Sequence, residues 1–274
     1  MTNDLNFSAP SFKQRIKGML GVDFYRLFHT PLFYIFLSIA TIIPAMVSCL
    51  TMMPDQNGNT MEPLYTNVWQ IIASAEPLYV VKNIADYANM NMVFIFGGIM
   101  VSIFIGHDYK SGYVKQLFTT HAKKEDYMIS KTLVCAFAMV CMCLTYFIGG
   151  TIGGLMAGYE TDVNVGSLIF AILGKMIMSL GWAALYTFLN VIFRKYFAIS
   201  IASSFFFGTG ILIIGVAGIV GNLPILNIFL YGSSVFACLS INFWTIVNCI
   251  LVSSIWTVIY ILLGSRILNK SDVY

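Results

Sequence analysis

The sequence predicts an all-α integral membrane protein of six transmembrane helices, and three observations carry that expectation. Charged residues make up only 10% of the 274-residue chain, against about 25% in a soluble domain. Six apolar runs can cross the roughly 30 Å hydrocarbon layer, at about 32–53, 90–106, 132–158, 167–193, 197–220 and 243–263. With both termini cytosolic, thirteen of the fifteen Lys and Arg residues fall on the inner side: four before the first span, five between the second and third, two after the fourth and two in the tail. Basic residues accumulate in short cytoplasmic loops, so 1–274 reads as a single multi-pass domain of the cytoplasmic membrane. Only Lys82 would lie outside, while Lys175 falls within a span.

The elements follow in order. The first residues, through Lys17, hold no apolar core that would serve as a cleaved signal peptide, so the first span is expected to remain. Across Ser11–Thr30, Phe12, Ile16, Met19, Leu20 and Leu27 fall on one helical stripe, with Lys13, Lys17 and Arg26 toward the flanks or back. That pattern predicts an amphipathic helix in the headgroup region, its cations (Lys13, Arg15, Lys17) facing membrane lipid. Asp23 breaks the stripe, and an ordinary juxtamembrane basic segment is the alternative. The first span carries Pro44, which predicts a kink. Residues 54–89 form an outer loop with Asp55, Glu62, Glu76 and Asp86 against the lone Lys82. Within it Asn57-Gly58-Asn59 is turn-forming, and Trp69–Val81 is apolar enough to rest on the membrane without crossing it.

The stretch from Gly106 to Lys131 is the polar centre of the chain, holding five of its fifteen basic residues. Unpaired charges and backbone groups cost several kcal/mol each in hydrocarbon, so residues 107–131 are expected in water, as a cytosolic loop. The third span ends in Gly149, Gly150, Gly153 and Gly154, whose four-residue spacing lets a neighbouring helix approach closely; flexibility for gating is the second reading. The 221–242 stretch is apolar but broken by Asn222, Pro224, Asn227 and Gly232. A re-entrant outer hairpin before the last helix keeps the basic tail inside, where a seventh span would expel it.

Residues that carry chemistry are few. The six cysteines lie in or beside apolar runs with no metal-ligand spacing, which suggests buried thiols. His29, His107 and His121 fall in the expected cytosolic segments, and all twelve acidic residues lie outside the expected spans. No metal site, buried carboxylate pair or catalytic constellation is therefore expected, and the chain does not read as an enzyme. Its dispersed basic residues do not form a nucleic-acid-binding face. Gly174-Lys175 is followed by Met176 and lacks the rest of a phosphate-binding loop, so no nucleotide is expected on this chain. Lys175 is the one ionisable residue within a span, with two readings: snorkelling or helix packing, and contact with a substrate. Without acidic residues in its spans, the chain has no evident ion coupling, and a driving force delivered through the 107–131 loop is the simplest alternative.

The loop itself carries a resemblance. A short second span runs into Asp108-Tyr109-Lys110-Ser111-Gly112, then Val114-Lys115-Gln116-Leu117-Phe118, a basic patch, and Tyr127-Met128-Ile129-Ser130-Lys131 before the third span. This resembles the permease family of type-two ATP-binding-cassette exporters, with Asp108, Gly112, Tyr127 and Lys131 as the matching positions. The layout resembles the family over nearly the whole chain. The resemblance implies a homo- or heterodimer of permeases paired with separate ATPase subunits that bind Mg-ATP, this chain binding no cofactor itself. It further implies that His107, Asp108, Tyr109, Lys110, Ser111, Gly112 and Lys115 belong to the element that couples to the ATPase, beside the 11–30 helix. By size and lysine content the chain is similar to antimicrobial-peptide export and lantibiotic-immunity permeases, which implies export of an amphiphile (peptide, antibiotic or lipid-like). A membrane sensor or scaffold, and a channel, are the rival classes. Many members have a shorter first outer loop than 54–89, whose role as a lid or substrate contact stays open.

Overall fold

The computed structural model describes residues 11–50, 52–54, 61–63, 65–71, 84–119, 123–162, 165–221, 224–239 and 243–270. The Asn57-Gly58-Asn59 turn, Lys82, His121 and the 72–81 part of the expected surface segment lie outside them. Helix α1 (Phe12–His29) leads into α2 (Pro31–Leu50) through Thr30. Ser11 caps α1: its hydroxyl accepts from the Gln14 backbone N–H, while the Gln14 side chain accepts from the Ser11 N–H. Pro31 opens α2 at the first helical position, where its missing N–H leaves no bond unmade. The helix continues through the buried Pro44.

Two three-residue strands, β1 (Met52–Pro54) and β2 (Met61–Pro63), pair antiparallel in the following loop. Then come α3 (Ile84–Lys110), α4 (Tyr113–Thr119), α5 (Lys124–Met156), α6 (Val165–Ile192), α7 (Phe197–Gly221), a 3-10 turn (Pro224–Ile228), α8 (Leu230–Leu239) and α9 (Phe243–Lys270). Six of these helices are long and apolar enough to cross a membrane: α2, α3, α5, α6, α7 and α9. The fold class is thus an all-α integral membrane protein. Helix α8, with ten residues, rises about 15 Å and cannot cross. Of the 221–242 stretch, the described residues 224–239 are therefore a 3-10 turn and a short helix packed on α6, α7 and α9.

The expected second span stops at 106, whereas α3 runs on through Asp108 to Lys110; the third helix likewise begins at Lys124, well before 132. Among its described residues the 107–131 segment is thus mostly helical, with α4 between the end of α3 and the start of α5. Helix α5, with 33 residues, is about 50 Å long, and its N-terminal turns extend past any single hydrocarbon layer. We call the end of the bundle that bears α4 the base.

The most extensive helix contacts are α2 with α5, α6 with α9, α5 with α6, and α3 with α7. Trp182 lies at the centre, stacked on Phe94 at 5.4 Å and edge-on to Tyr231 at 5.1 Å, its indole N–H donating to Ser234 Oγ at 2.8 Å. That bond ties the short α8 to α6. A smaller core at the base gathers Met19, Val114, Tyr127, Met128, Val191 and Leu268 from five helices.

A buried charge cluster as candidate functional site

Helix α1 packs on α5 through Met19, Asp23 and Leu27, spaced four apart along one stripe. The residue that breaks the apolar pattern is thus at the centre of the buried face. Phe12, expected on that face, is exposed. Asp23 is 1% exposed, and its two oxygens accept from Ser130 Oγ at 2.7 Å and Lys131 Nζ at 2.6 Å. Lys131, 0% exposed, also reaches Asp108 at 2.6 Å. Asp108, near the end of α3 and 0% exposed, meets Arg26 of α1 at 2.7 Å. Its contacts are ion pairs rather than aligned hydrogen bonds.

Two carboxylates and two cations from three helices therefore close a neutral cluster, buried except at Arg26, which is 27% exposed. The expectation that no buried carboxylate pair exists is corrected here. Asp23 and Asp108 are both enclosed, and Asp108 lies within a span-length helix. A carboxylate is tolerated at such a site when cations satisfy it in place of water. Removing a single member leaves an uncompensated buried charge, which is the costly case.

Aromatic faces complete the cluster. The Lys131 ammonium lies 4.9 Å from the Phe104 ring, 5.2 Å from Tyr113 and 5.7 Å from Tyr127, and the Arg26 guanidinium sits 4.0 Å over Tyr113. Tyr113 is the first residue of α4, so the short helix is fastened to the cluster by its own aromatic ring. Burial pushes the Tyr113 phenol above its usual value, and the Asp23 charge adds to the rise, so it stays neutral. Val114 is buried in the small basal core. The sharp turn between α3 and α4 uses Gly112 at φ 74°, a left-handed conformation that glycine adopts without strain.

Two flanking contacts extend the join. Arg15 pairs with the buried Asp126 at 2.6 Å. Lys124 Nζ donates to the Leu268 carbonyl at 2.6 Å, a cation at the C-terminal end of α9.

Of the expected coupling residues, His107, Lys110, Ser111 and Lys115 are exposed beside α4, Tyr109 and Gly112 are half-buried, and Asp108 is fully enclosed. Lys13 and Lys17 are exposed on α1, while Arg15 turns toward α5. Asp23, Arg26, Ser130 and the ring of Tyr113 were not anticipated as parts of one site. The available signal was Asp23 on an apolar stripe: an acid there needs a buried cation, and Lys131 was already singled out.

The remaining expected residues lie away from the base. Lys175 of α6 is 5% exposed and, with Val93 of α3, Cys143, Tyr146 and Phe147 of α5 and Ile172, lines a cavity of about 10 Å³. That volume accommodates about one water. Gly149 and Gly153 face the α2 backbone at Thr41 and Ala45, where a side chain would collide with main-chain atoms. The close-approach reading of the glycine spacing therefore describes the α2–α5 contact.

A search of curated proteins returned no match. A family model described as ABC-2 family transporter protein matches residues 20–211. The matched span includes Asp23, Arg26, Asp108, Tyr113, Ser130 and Lys131, and so encloses the whole cluster. With six apolar helices and a match over most of its length, this chain belongs to the ABC-2 family of transporter proteins, as a multi-pass membrane subunit.

Proposed function

We propose that the chain is the permease of an ATP-driven exporter, in which a separate ATPase subunit binds Mg-ATP and works on the base of the bundle. The observation that carries this reading is the neutral cluster of Asp23, Arg26, Asp108 and Lys131. It binds α1, α3 and α5 into one unit and holds α4 by Tyr113, while His107, Lys110, Ser111 and Lys115 remain outward for a partner. A push on α4 then reaches α1, α5, α6 and α9 through Val114 and the basal core. Packed cores transmit displacement because they do not deform continuously. In this reading Asp108 and Lys131 position the partner-facing surface rather than touch the partner.

The same reading places the base in the cytosol at the cytoplasmic membrane, with both termini inside, because the basic residues concentrate there. A second permease copy or a related permease completes the transporter. The cargo is an amphiphile of the antimicrobial-peptide, antibiotic or lipid class, moved out of or away from the membrane. Support for that class is the resemblance in size and lysine content to peptide-export and lantibiotic-immunity permeases.

Purification of the tagged chain with its ATP-binding-cassette partner, followed by reconstitution in vesicles, tests the proposal. Expected are copurification, ATP hydrolysis stimulated by an amphiphilic peptide, and ATP-dependent movement of that peptide. Stimulated hydrolysis without movement would make the chain a sensor. Movement without an ATPase would make it a channel.

A further inference from the structure

A second basal feature lies apart from the charge cluster, where α3, α6 and α7 meet. Gly106, Tyr109 and Lys110 of α3, Asn190 of α6, the connecting Phe193, Arg194 and Lys195, and Phe197 and Ser200 at α7 surround a cavity of about 230 Å³. Three cations line it, and no carboxylate is among its described lining residues. Its floor is polar and fixed. Asn190, 1% exposed, donates to Ser102 Oγ at 3.0 Å and to the Tyr186 carbonyl at 2.8 Å, and Ser200, 2% exposed, donates to Asn190 Oδ1. Gly106 allows the Phe197 ring to lie directly against α3, so one wall is aromatic.

We infer that this cavity binds the phosphate of an anionic glycerophospholipid, with Lys110, Arg194 and Lys195 around the headgroup. Guanidinium and ammonium groups are the usual partners of phosphate, and basic pockets between membrane helices are suited to phosphorylated headgroups. The turn joining two span-length helices forms part of the cavity wall, and the ends of spanning helices lie near the headgroup region. Exposed Ile192, Tyr196 and Ile199 flank that turn and offer an apolar surface for acyl chains. A free phosphate would use the cations but not this apolar surface. Phospholipid phosphate is present in both leaflets, so the inference does not depend on the orientation proposed above.

The test is thermal-shift and native mass-spectrometric titration of the detergent-purified full chain with phosphatidylglycerol, phosphatidylcholine of the same acyl chains, and inorganic phosphate. Expected is preferential binding of phosphatidylglycerol, weakened about five-fold for each engaged cation removed. Both Arg194→Gln/Lys195→Gln and the exposed single change Lys195→Glu should show that weakening. Arg266→Gln/Lys270→Gln, elsewhere on the basal side, should bind as wild type. Equal binding of the two lipids, or unchanged phosphatidylglycerol binding by correctly folded Lys195→Glu, would overturn the inference. Inorganic phosphate binding as tightly as phosphatidylglycerol would overturn the lipid assignment in favour of a soluble anion.

Discussion

The base of the bundle and its opposite end are joined by different forces. At the base, long side chains from α1, α3 and α5 meet as charges: Lys131 between Asp23 and Asp108, with Arg26 closing the set. At the opposite end the join is made largely by backbone. Val68 donates its N–H to the Glu160 carbonyl and Glu160 donates to Thr66, both at 3.1 Å, while Asn67 Nδ2 donates to the Asp162 carbonyl at 2.8 Å. Gly154 lies so close to Val68 that an added Cβ would come 2.7 Å from its Cα, and Tyr159 donates to the Ser48 carbonyl at 2.6 Å. The 65–71 part of the outer loop is thereby pinned to the α5–α6 connection.

The difference matters for how each end responds to substitution. Backbone and glycine contacts are short-ranged and steric, so damage to them is local and graded by volume. A buried charge cluster is cooperative, because each ion is tolerable only while its partners remain. The charge-based join is also the one beside α4, where force from a partner is proposed to enter.

Five variants break or sharpen this comparison. Lys131→Met should be the most damaging, lowering stability by about 3–5 kcal/mol in thermal or denaturant unfolding of the detergent-purified protein. The neutral pair Asp23→Asn/Lys131→Met, which leaves Arg26 with Asp108, should recover most of that loss. If the pair is as unstable as the single change, the cluster is held by packing rather than charge. Gly149→Leu should cost about 1–3 kcal/mol by forcing α2 from α5, with no rescue from any charge change at the base. Asn67→Ala should cost about 1 kcal/mol, seen as faster hydrogen exchange confined to residues 65–71 and the 159–162 connection. Lys110→Glu/Lys115→Glu should leave stability within about 0.5 kcal/mol of wild type while reducing recovery of the ATPase partner in pull-downs. Undiminished recovery would remove the exposed lysines from the proposed contact.

Much of the architecture was legible in the chain because hydrocarbon imposes a simple rule: apolar runs of sufficient length must span, and basic residues collect at one end. Helix ends were harder. The Gly106–Lys131 stretch looked too polar for anything but water, since a sequence displays charges without showing which neutralise each other. Once Asp108 and Lys131 cancel, both helices can extend through that stretch. The amphipathic reading of α1 named the helix and its stripe, but took Asp23 as a break in that stripe rather than as part of the buried face. Hydrophobicity counts Asp23 as surface, whereas an ion pair makes it core.

By itself, then, the sequence determined six membrane-length helices, a glycine-spaced contact on α5 and a basic connecting stretch, each following from local composition and period. Only the tertiary structure decided that residues 23, 26, 108 and 131 meet, and that Arg194 and Lys195 share a cavity with Lys110. Attraction between charges depends on distance through space. Positions about a hundred residues apart in the chain come within 3 Å of one another only after the helices have packed.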